Sequence, residues 1–409
     1  MNNGYIAALI RGLCIDLVKR PQTVVYQACI GNVPDTAMKA EISSNESEVR
    51  IAEIIRQAYD LWKKSHDSVF SQTCCNSNCG ALLPACVSLS VNGKPEALFW
   101  TGCNLDSARR RQQNRAAAPR VGCEVKNPEG INERAAVVKD KIALVTGGAQ
   151  GIGEEIVKSL AAAGAIVFIA DLNLEKAEKL AEEINAEHGR TAALGIGVNV
   201  ADEASVEKMF FDVALTAGGL DLCVSNAGVL KAGSVLEQEL ADFKFVTDIN
   251  YTGFFLVSKY AGRLLRTQHL GAPDWKTDII QINSKSGLEG SNKNAAYAGG
   301  KFGGLGLAAS FAKELVEYNI KVNAICPGNF LDGPLWSHPE NGLFVQYFKT
   351  GKVPGAKSLA DVRAFYESRV PMKRGCTGKD IMRALYYIIE QEYETGQAVP
   401  VTGGQIMLH

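Results

Sequence analysis

The chain has 409 residues, a length that fits two or three domains or one large domain with an extension. Hydrophobic residues make up 46%, enough for a sizeable core, and a net charge of -1 gives no electrostatic basis for nucleic-acid or membrane partners. No stretch has the length and apolarity of a membrane-spanning helix, and Arg11 and Asp16 interrupt the apolar run at residues 5–18, which argues against a secretory h-region; a cytoplasmic protein with reduced thiols is expected.

The first third opens with an expected amphipathic helix over residues 5–19. A longer helix follows at about 46–68, where Ile51, Ile54, Ile55, Ala58, Tyr59 and Trp62 recur at helical spacing. Ser43 with Glu46, or Asn45 with Glu48, offers a capping pair at its start. Val87-Ser88-Leu89-Ser90-Val91 and Ala97-Leu98-Phe99-Trp100 then join through Asn92-Gly93, the residues a type I′ hairpin turn needs. Residues 106–134 are rich in Arg, Gln, Asn and Ala, with Arg109-Arg110-Arg111 at their head, and read as a linker or exposed helix. Most of the cysteines lie in this third. Cys74, Cys75 and Cys79, with Cys86 and Cys103, match no common structural zinc spacing, so reduced thiols are expected in place of a metal or cluster. The organisation expected is a cysteine-rich region at 1–105, a linker at 106–137 and a third unit at 138–409.

From Lys141 the pattern changes to short apolar runs alternating with helical segments. Strands are expected at 142–145, 166–170, 220–224, 278–282, 321–325 and 398–401. Such alternation implies a parallel sheet with helices on both faces. The fold class expected is α/β, a Rossmann-type doubly wound parallel sheet, preceded by a smaller α+β N-terminal region.

The first strand runs straight into Thr146-Gly147-Gly148-Ala149-Gln150-Gly151-Ile152-Gly153, which opens a helix. Glycines there let the backbone turn tightly against a pyrophosphate, and the helix N-terminus supplies free N–H groups and a positive dipole end. Gly147, Gln150, Gly151, Ile152 and Gly153 are therefore candidate dinucleotide contacts. Asp171 ends the second strand, about 20 residues further on, where an acid bonds the adenosine ribose hydroxyls. A 2′-phosphate would meet that carboxylate, and Gln150, Leu172 and Asn173 supply no offsetting cation, so NAD is expected over NADP. Asn199, with Val200 beside it, is expected at the adenine edge. Asn226-Ala227-Gly228 follows a strand at the open edge of the sheet, and Pro327-Gly328 is expected to close over the nicotinamide.

Tyr297 and Lys301 are four residues apart in a helical segment, so both side chains leave one face. The ammonium is expected to lower the phenol pKa from about 10, making a phenolate available as general base for an alcohol proton.

These motifs resemble the short-chain dehydrogenase/reductase family over residues 138–409, through the glycine turn, Asn226-Ala227-Gly228, Asn250 in Asp248-Ile249-Asn250-Tyr251-Thr252-Gly253, Ser284, Tyr297 with Lys301, and Pro327-Gly328. The resemblance implies that Tyr297 is the base and that Lys301 lowers its pKa and holds the nicotinamide ribose. It further implies that Ser284 bonds the reacting oxygen, and that Asn250 positions a water in the proton relay. A narrower resemblance, to polyol-phosphate dehydrogenases, runs through residues 281–287, 301–304, 370–376 and 401–407. It implies interconversion of sorbitol 6-phosphate and fructose 6-phosphate with NAD. A dehydrogenase of another polyol, sugar or secondary alcohol fits the same segments, and an NAD-sensing regulatory protein is the competing class. The pattern departs at Asn329-Phe330-Leu331-Asp332, where many members carry a threonine for the nicotinamide amide, and at Asn199, where an aspartate is frequent.

At the substrate end, Ser284, Lys285 and Tyr297 are the candidate contacts. A cation at Lys285 either meets a sugar phosphate or stays solvated, and Lys293 and Arg374 are further phosphate candidates. Trp336 and His338 fall on the expected lid, where they line the pocket or pack the lid. Gly299, Gly300, Gly303, Gly304 and Gly306 crowd the helix carrying Tyr297. Close approach of a second subunit, giving a dimer or tetramer, would account for residues that cost a helix up to about 1 kcal/mol each.

Overall fold

The computed structural model describes residues 2–18, 21–28, 33, 37–70, 82–83, 86–102, 105–114, 120–121, 133–340, 342–349 and 351–407. The first third forms α1 (Asn3–Val18), β1 (Thr23–Ala28), β2 (Met38–Ile42), α2 (Glu48–Phe70), β3 (Leu82–Leu83), β4 (Cys86–Val91), β5 (Lys94–Gly102), α3 (Leu105–Asn114) and β6 (Arg120–Val121). There follow β7 (Ile142–Thr146), α4 (Gly151–Ala162), β8 (Ile166–Asp171), α5 (Leu174–His188), β9 (Ala193–Gly197), α6 (Glu203–Ala217) and β10 (Leu222–Ser225). The chain continues through α7 (Leu240–Thr247), α8 (Gly253–Gly271), β11 (Thr277–Ile282), α9 (Ala295–Leu315) and β12 (Ile320–Pro327). It ends with α10 (Pro334–Ser337), α11 (Leu343–Lys349), α12 (Leu359–Ser368), α13 (Gly378–Glu390) and β13 (Ala398–Val401).

The last seven strands form one parallel sheet, in the order β13-β12-β11-β10-β7-β8-β9. Alternate residues of each strand feed opposite faces, as strand geometry requires. Ala143 and Val145 pack with α4, α5 and α13 on one side, Ile142 and Leu144 with α6, α8 and α9 on the other. The doubly wound fold expected from the sequence is thus present, with a smaller mixed sheet before it. The edge strand β9 and the short strands β1 and β2 add to those expected.

The smaller sheet runs β1-β5-β4-β2, with its central hairpin turned at Asn92 and Gly93, both at positive φ (49° and 78°) as a type I′ turn demands. The α2 stripe of Ile51, Ile55, Tyr59 and Trp62 covers it, together with Ile6, Ile10 and Leu13 of α1. Ser47 caps α2, its Oγ accepting the Arg50 N–H at 3.3 Å, two residues later than the expected Asn45 cap and four later than Ser43. The stretch read as a linker or exposed helix begins as α3, whose Leu105 and Ala108 are buried against Val25 and Ile166. Cys14 and Cys86 are buried. Cys29, Cys74, Cys75, Cys79, Cys103 and Cys123 lie outside the described residues. Among the described residues no cluster of three or more His, Cys, Asp or Glu is placed to hold a metal, and no helix is long and apolar enough to cross a membrane.

The first third is fastened to the large sheet by a buried charge. Helix α1 lies along α8 and α6, with Ala8 in the core of that face and Gly12 close against Gly271. Arg11, which reads in sequence as an interruption of an apolar run, is fully buried there. Its Nη2 donates to Asp221 Oδ2 at 2.6 Å, its Nη1 to Gln268 Oε1 at 2.6 Å and its Nε to the Gln22 carbonyl at 2.6 Å. Asp221 is equally buried and also accepts from the Ile142 N–H at 2.8 Å and from Trp275 Nε1 at 2.9 Å. Burial pushes the Asp221 carboxyl up, but Arg11 and the Ile142 N–H outweigh it and hold the group below its ordinary value. Replacing one member of such a pair leaves an uncompensated buried charge. Arg11→Leu is therefore expected to lower unfolding free energy by about 3–5 kcal/mol, read by urea denaturation near neutral pH. The part of stability owed to the depressed Asp221 should disappear as pH falls through the carboxylate range. A loss under about 1 kcal/mol would show that the two regions are held by other contacts.

Candidate active site

The winding of the large sheet reverses between β7 and β10, and the crevice at the C-terminal ends of such a pair is where ligands bind in open α/β sheets. The glycine turn fills this position. Gly147 has φ 60°, and a side chain on it would put Cβ 2.9 Å from the Ala227 backbone, so only glycine allows β7 and β10 to approach there. Thr146 Oγ1 accepts the N–H groups of Asn226 and Ala227 at 3.0 and 3.1 Å, while Asn226 Nδ2 donates to the carbonyls of Thr146 and Gly147 at 3.0 Å each. Asn226 is thus the clamp that shapes the turn. Helix α4 starts at Gly151 with no side-chain cap from Gln150, which leaves its first N–H groups for a ligand. A pyrophosphate fits that donor set.

Asp171 stands at the end of β8, its Oδ2 accepting from Ala149 N at 3.1 Å and its Oδ1 from Asn173 N at 3.0 Å. These bonds fix the carboxylate beside the turn. One cation missing from the sequence reading also reaches this corner: Lys176, from the first turn of α5, donates to Gln150 Oε1 at 2.9 Å. Asn199 is exposed and uses its Oδ1 on the Ala201 N–H at 3.1 Å, whereas Val200 is buried against Gly253.

The proton-transfer candidates converge from three elements. Tyr297 lies in the first turn of α9 and Lys301 in the next, with Lys301 Nζ 5.6 Å from the phenol ring centre. Ser284 stands two residues beyond β11, and its Oγ accepts the Ser286 N–H at 3.1 Å, which frees its own proton for the Tyr297 oxygen. Asn283, not singled out by sequence, holds the arrangement: its Nδ2 donates to the Lys301 carbonyl at 2.9 Å and its Oδ1 accepts from Ser284 N at 2.8 Å. Asn250 sits in a π-helical turn between α7 and α8, a feature frequent at functional sites. Both polar atoms of its amide are taken by the backbone of Val229, at 2.8 Å each. This pins Gly228 close to Lys301 Nζ. Pro327 ends β12, and Gly328 N donates to Val401 at 2.9 Å.

One electrostatic expectation is corrected. Burial raises the Tyr297 phenol above its ordinary value, against the hydrogen bond from Ser284, and Lys301 does not reverse this. The Lys301 ammonium donates to the Ile282 carbonyl at 2.9 Å, and burial lowers its own pKa to about 8. Two neighbours desolvated together each drift toward the neutral form, and the short Coulomb path that would charge the phenol is spent on a carbonyl. Cys326, beside both groups, is a thiol pushed up to about 11 by burial.

At the substrate side Lys285 is half-buried next to Ser284 and Lys293 is exposed just before α9. Arg374 does not point a free charge at the site, since it makes a paired contact with Asp380 at 2.6 and 3.0 Å at the start of α13. Trp336 packs the lid, against Phe344, Tyr347 and Tyr366 with ring centres 5.3, 5.9 and 4.8 Å away. His338 is exposed and accepts the Glu340 N–H. Part of the glycine crowding in α9 has an internal cause: a Cβ on Gly303 would lie 2.7 Å from the Tyr251 ring and one on Gly304 2.5 Å from the Gln281 amide. Gly299 and Gly306 face open space.

Known proteins are similar to this chain. A family model described as short chain dehydrogenase matches residues 141–337. Sorbitol-6-phosphate 2-dehydrogenase of Escherichia coli (strain K12) is 37% identical over 271 residues, covering 66% of this chain and 99% of that protein. The 3-oxoacyl-(acyl-carrier-protein) reductase FabG of Aquifex aeolicus (strain VF5) is 30% identical over 269 residues, 65% of this chain and 98% of that protein. Among solved structures, the crystal structure of sorbitol-6-phosphate 2-dehydrogenase SrlD from Erwinia amylovora matches with a TM-score of 0.60 at 39% identity, over 65% of this chain and 100% of that one.

Proposed function

This chain belongs to the short-chain dehydrogenase family, and from that footing we propose that it is an NAD-dependent oxidoreductase interconverting a polyol phosphate and a ketose phosphate, with sorbitol 6-phosphate and fructose 6-phosphate as the pair. The observation that carries this is the grouping of Ser284, Tyr297 and Lys301 beside the glycine turn at the sheet reversal. The choice of substrate is supported by the likeness to the two sorbitol-6-phosphate dehydrogenases.

A bound nicotinamide supplies the hydride acceptor for carbon 2 of the polyol. In oxidation Tyr297 takes the hydroxyl proton, and in reduction it returns one. Ser284 donates to the reacting oxygen, and Lys285 contacts the substrate beside it. Lys301 places a positive charge where the phenolate develops, the kind of preorganised field that lowers such a barrier. Asn250 fixes the loop beside Lys301 from which a water feeds the relay. Gly147, Gln150, Gly151, Ile152 and Gly153 hold the pyrophosphate through backbone N–H groups, and Asp171 takes the ribose hydroxyls. Asn199 and Val200 flank the adenine, while Asn226, Ala227, Gly228, Pro327 and Gly328 shape the nicotinamide end. A second copy packs against the exposed Tyr251, Phe255 and Phe302 and the open side of Gly299 and Gly306, giving a dimer or tetramer.

Tyr297→Phe is expected to lower kcat at least about a hundredfold while NAD affinity, read by calorimetry, stays within twofold or so of wild type. Turnover within about tenfold of wild type would remove Tyr297 as the base. Because burial keeps the phenol protonated at neutral pH, oxidation should speed up between about pH 7 and about pH 9 while reduction holds or declines; an oxidation rate that falls over that span contradicts the assignment. Asp171→Ala should raise kcat/KM with NADP relative to NAD, and a wild-type enzyme that already prefers NADP contradicts the electrostatic basis for NAD. Light scattering should give twice or four times the 43.9 kDa chain mass, against a monomer if the exposed face is unpaired.

A further inference from the structure

The lid carries a cation that no sequence motif marks. Lys352 follows α11, and its backbone N–H donates to the Tyr347 carbonyl at 3.0 Å, folding the chain back so that its Nζ lies 3.9 Å from the centre of the Tyr347 ring. Tyr347 is itself fixed, stacked on Tyr366 at 5.5 Å and edge-on to Trp336 at 5.9 Å. The same aromatic cluster takes in Leu230. Leu230 belongs to the loop that Asn250 pins beside Lys301, and the Gly233 N–H at the end of that loop donates to the Lys293 carbonyl at 2.9 Å.

The lid and the segment preceding α9 therefore meet around one loop. Loss of water against the lid, and then repulsion from Lys293, hold Lys352 below the ordinary lysine range. Among the described residues neither ammonium makes a salt bridge to a carboxylate, whereas Lys231, on the same loop, has Asp242. Lys293 stands four residues before Tyr297, in the non-helical segment that leads into the positive end of α9. The N-cap there, Asn294, makes no cap bond, which leaves the first N–H groups of α9 open. Two cations on segments that meet around one loop and feel each other's charge, neither with a salt bridge among the described residues, are matched by a dianion.

We propose that Lys352 and Lys293 form a phosphate subsite that binds the phosphate monoester end of the substrate. This rests on the polyol-phosphate reading and narrows it. The phosphate lies toward the lid, away from Ser284, so the substrate is a primary phosphate ester several carbons from the reacting hydroxyl.

The test compares kcat/KM for sorbitol 6-phosphate and for sorbitol in Lys352→Ala, Lys293→Ala and Lys352→Arg, with binding of inorganic phosphate measured by calorimetry. Each alanine variant is expected to lower the ratio of the two kcat/KM values by about ten- to a hundredfold and to weaken inorganic phosphate in step, with arginine restoring most of both. An unchanged ratio with unchanged phosphate binding overturns the subsite. If no polyol phosphate is turned over while inorganic phosphate still binds through Lys352, the anion site stands and the substrate assignment of the preceding section falls.

Discussion

Asp221 is a charge with no access to water, and it sits under the point where the winding of the large sheet reverses. Its carboxylate must be matched where it lies, because moving it to solvent would pull β10 away from β7. The match comes from three donors: the Ile142 N–H of β7, Trp275 Nε1 ahead of β11, and Arg11 Nη2. The first two come from the same unit as the sheet, and the third is a side chain from the first helix of the chain. The first third is therefore joined to the sheet through a buried ion pair, whose geometry is unforgiving in a way that an apolar patch is not.

The same two strands carry the chemistry at their other ends. Asp221 fixes the lower ends of β7 and β10, and Thr146 with Asn226 fixes the upper ends, where the glycine turn begins. Beside them a second polar framework ties β11 to α9 through Asn283 and Lys301. Lys301 is thus held by backbone carbonyls and Asn283, while Ser284 bonds the Tyr297 oxygen. Tyr297 and Lys301 lie nearer their neutral forms because the scaffold sets their positions and burial is the largest influence on their charge.

Much of this was legible in sequence because the signals were local. The parallel strands appear as apolar runs within a residue or two of their observed ends, and the glycine turn, Ser284 and the Tyr297–Lys301 spacing each state their own geometry. The hairpin at Asn92-Gly93 is equally local, since its two positive φ angles are chemical requirements of those residues. What escaped was non-local or weakly patterned. The edge strand β9, Ala-Leu-Gly-Ile-Gly, has two glycines and no fully buried side chain after Ala193, so it lacks the continuous apolar run of its neighbours. Strand β2 alternates buried and exposed positions over only five residues. Arg11 reads as a flaw in an apolar helix because its partner is 210 residues away. Lys176, Asn283 and Lys352 gain meaning only from what stands opposite them once the chain is folded. The glycines of α9 were legible as a packing signal, but sequence does not say that Gly303 and Gly304 answer to Tyr251 and Gln281 of the same chain.

The most direct measurement of what this protein does is to follow hydride transfer itself, by incubating the full chain with fructose 6-phosphate and NADH carrying deuterium at the transferring position. The account predicts a hexitol 6-phosphate labelled at carbon 2, formed with NADH in preference to NADPH, and no label in product when Tyr297→Phe replaces the native chain. Failure to reduce fructose 6-phosphate, with label passing instead to an acyl thioester or an unphosphorylated ketone, would contradict it.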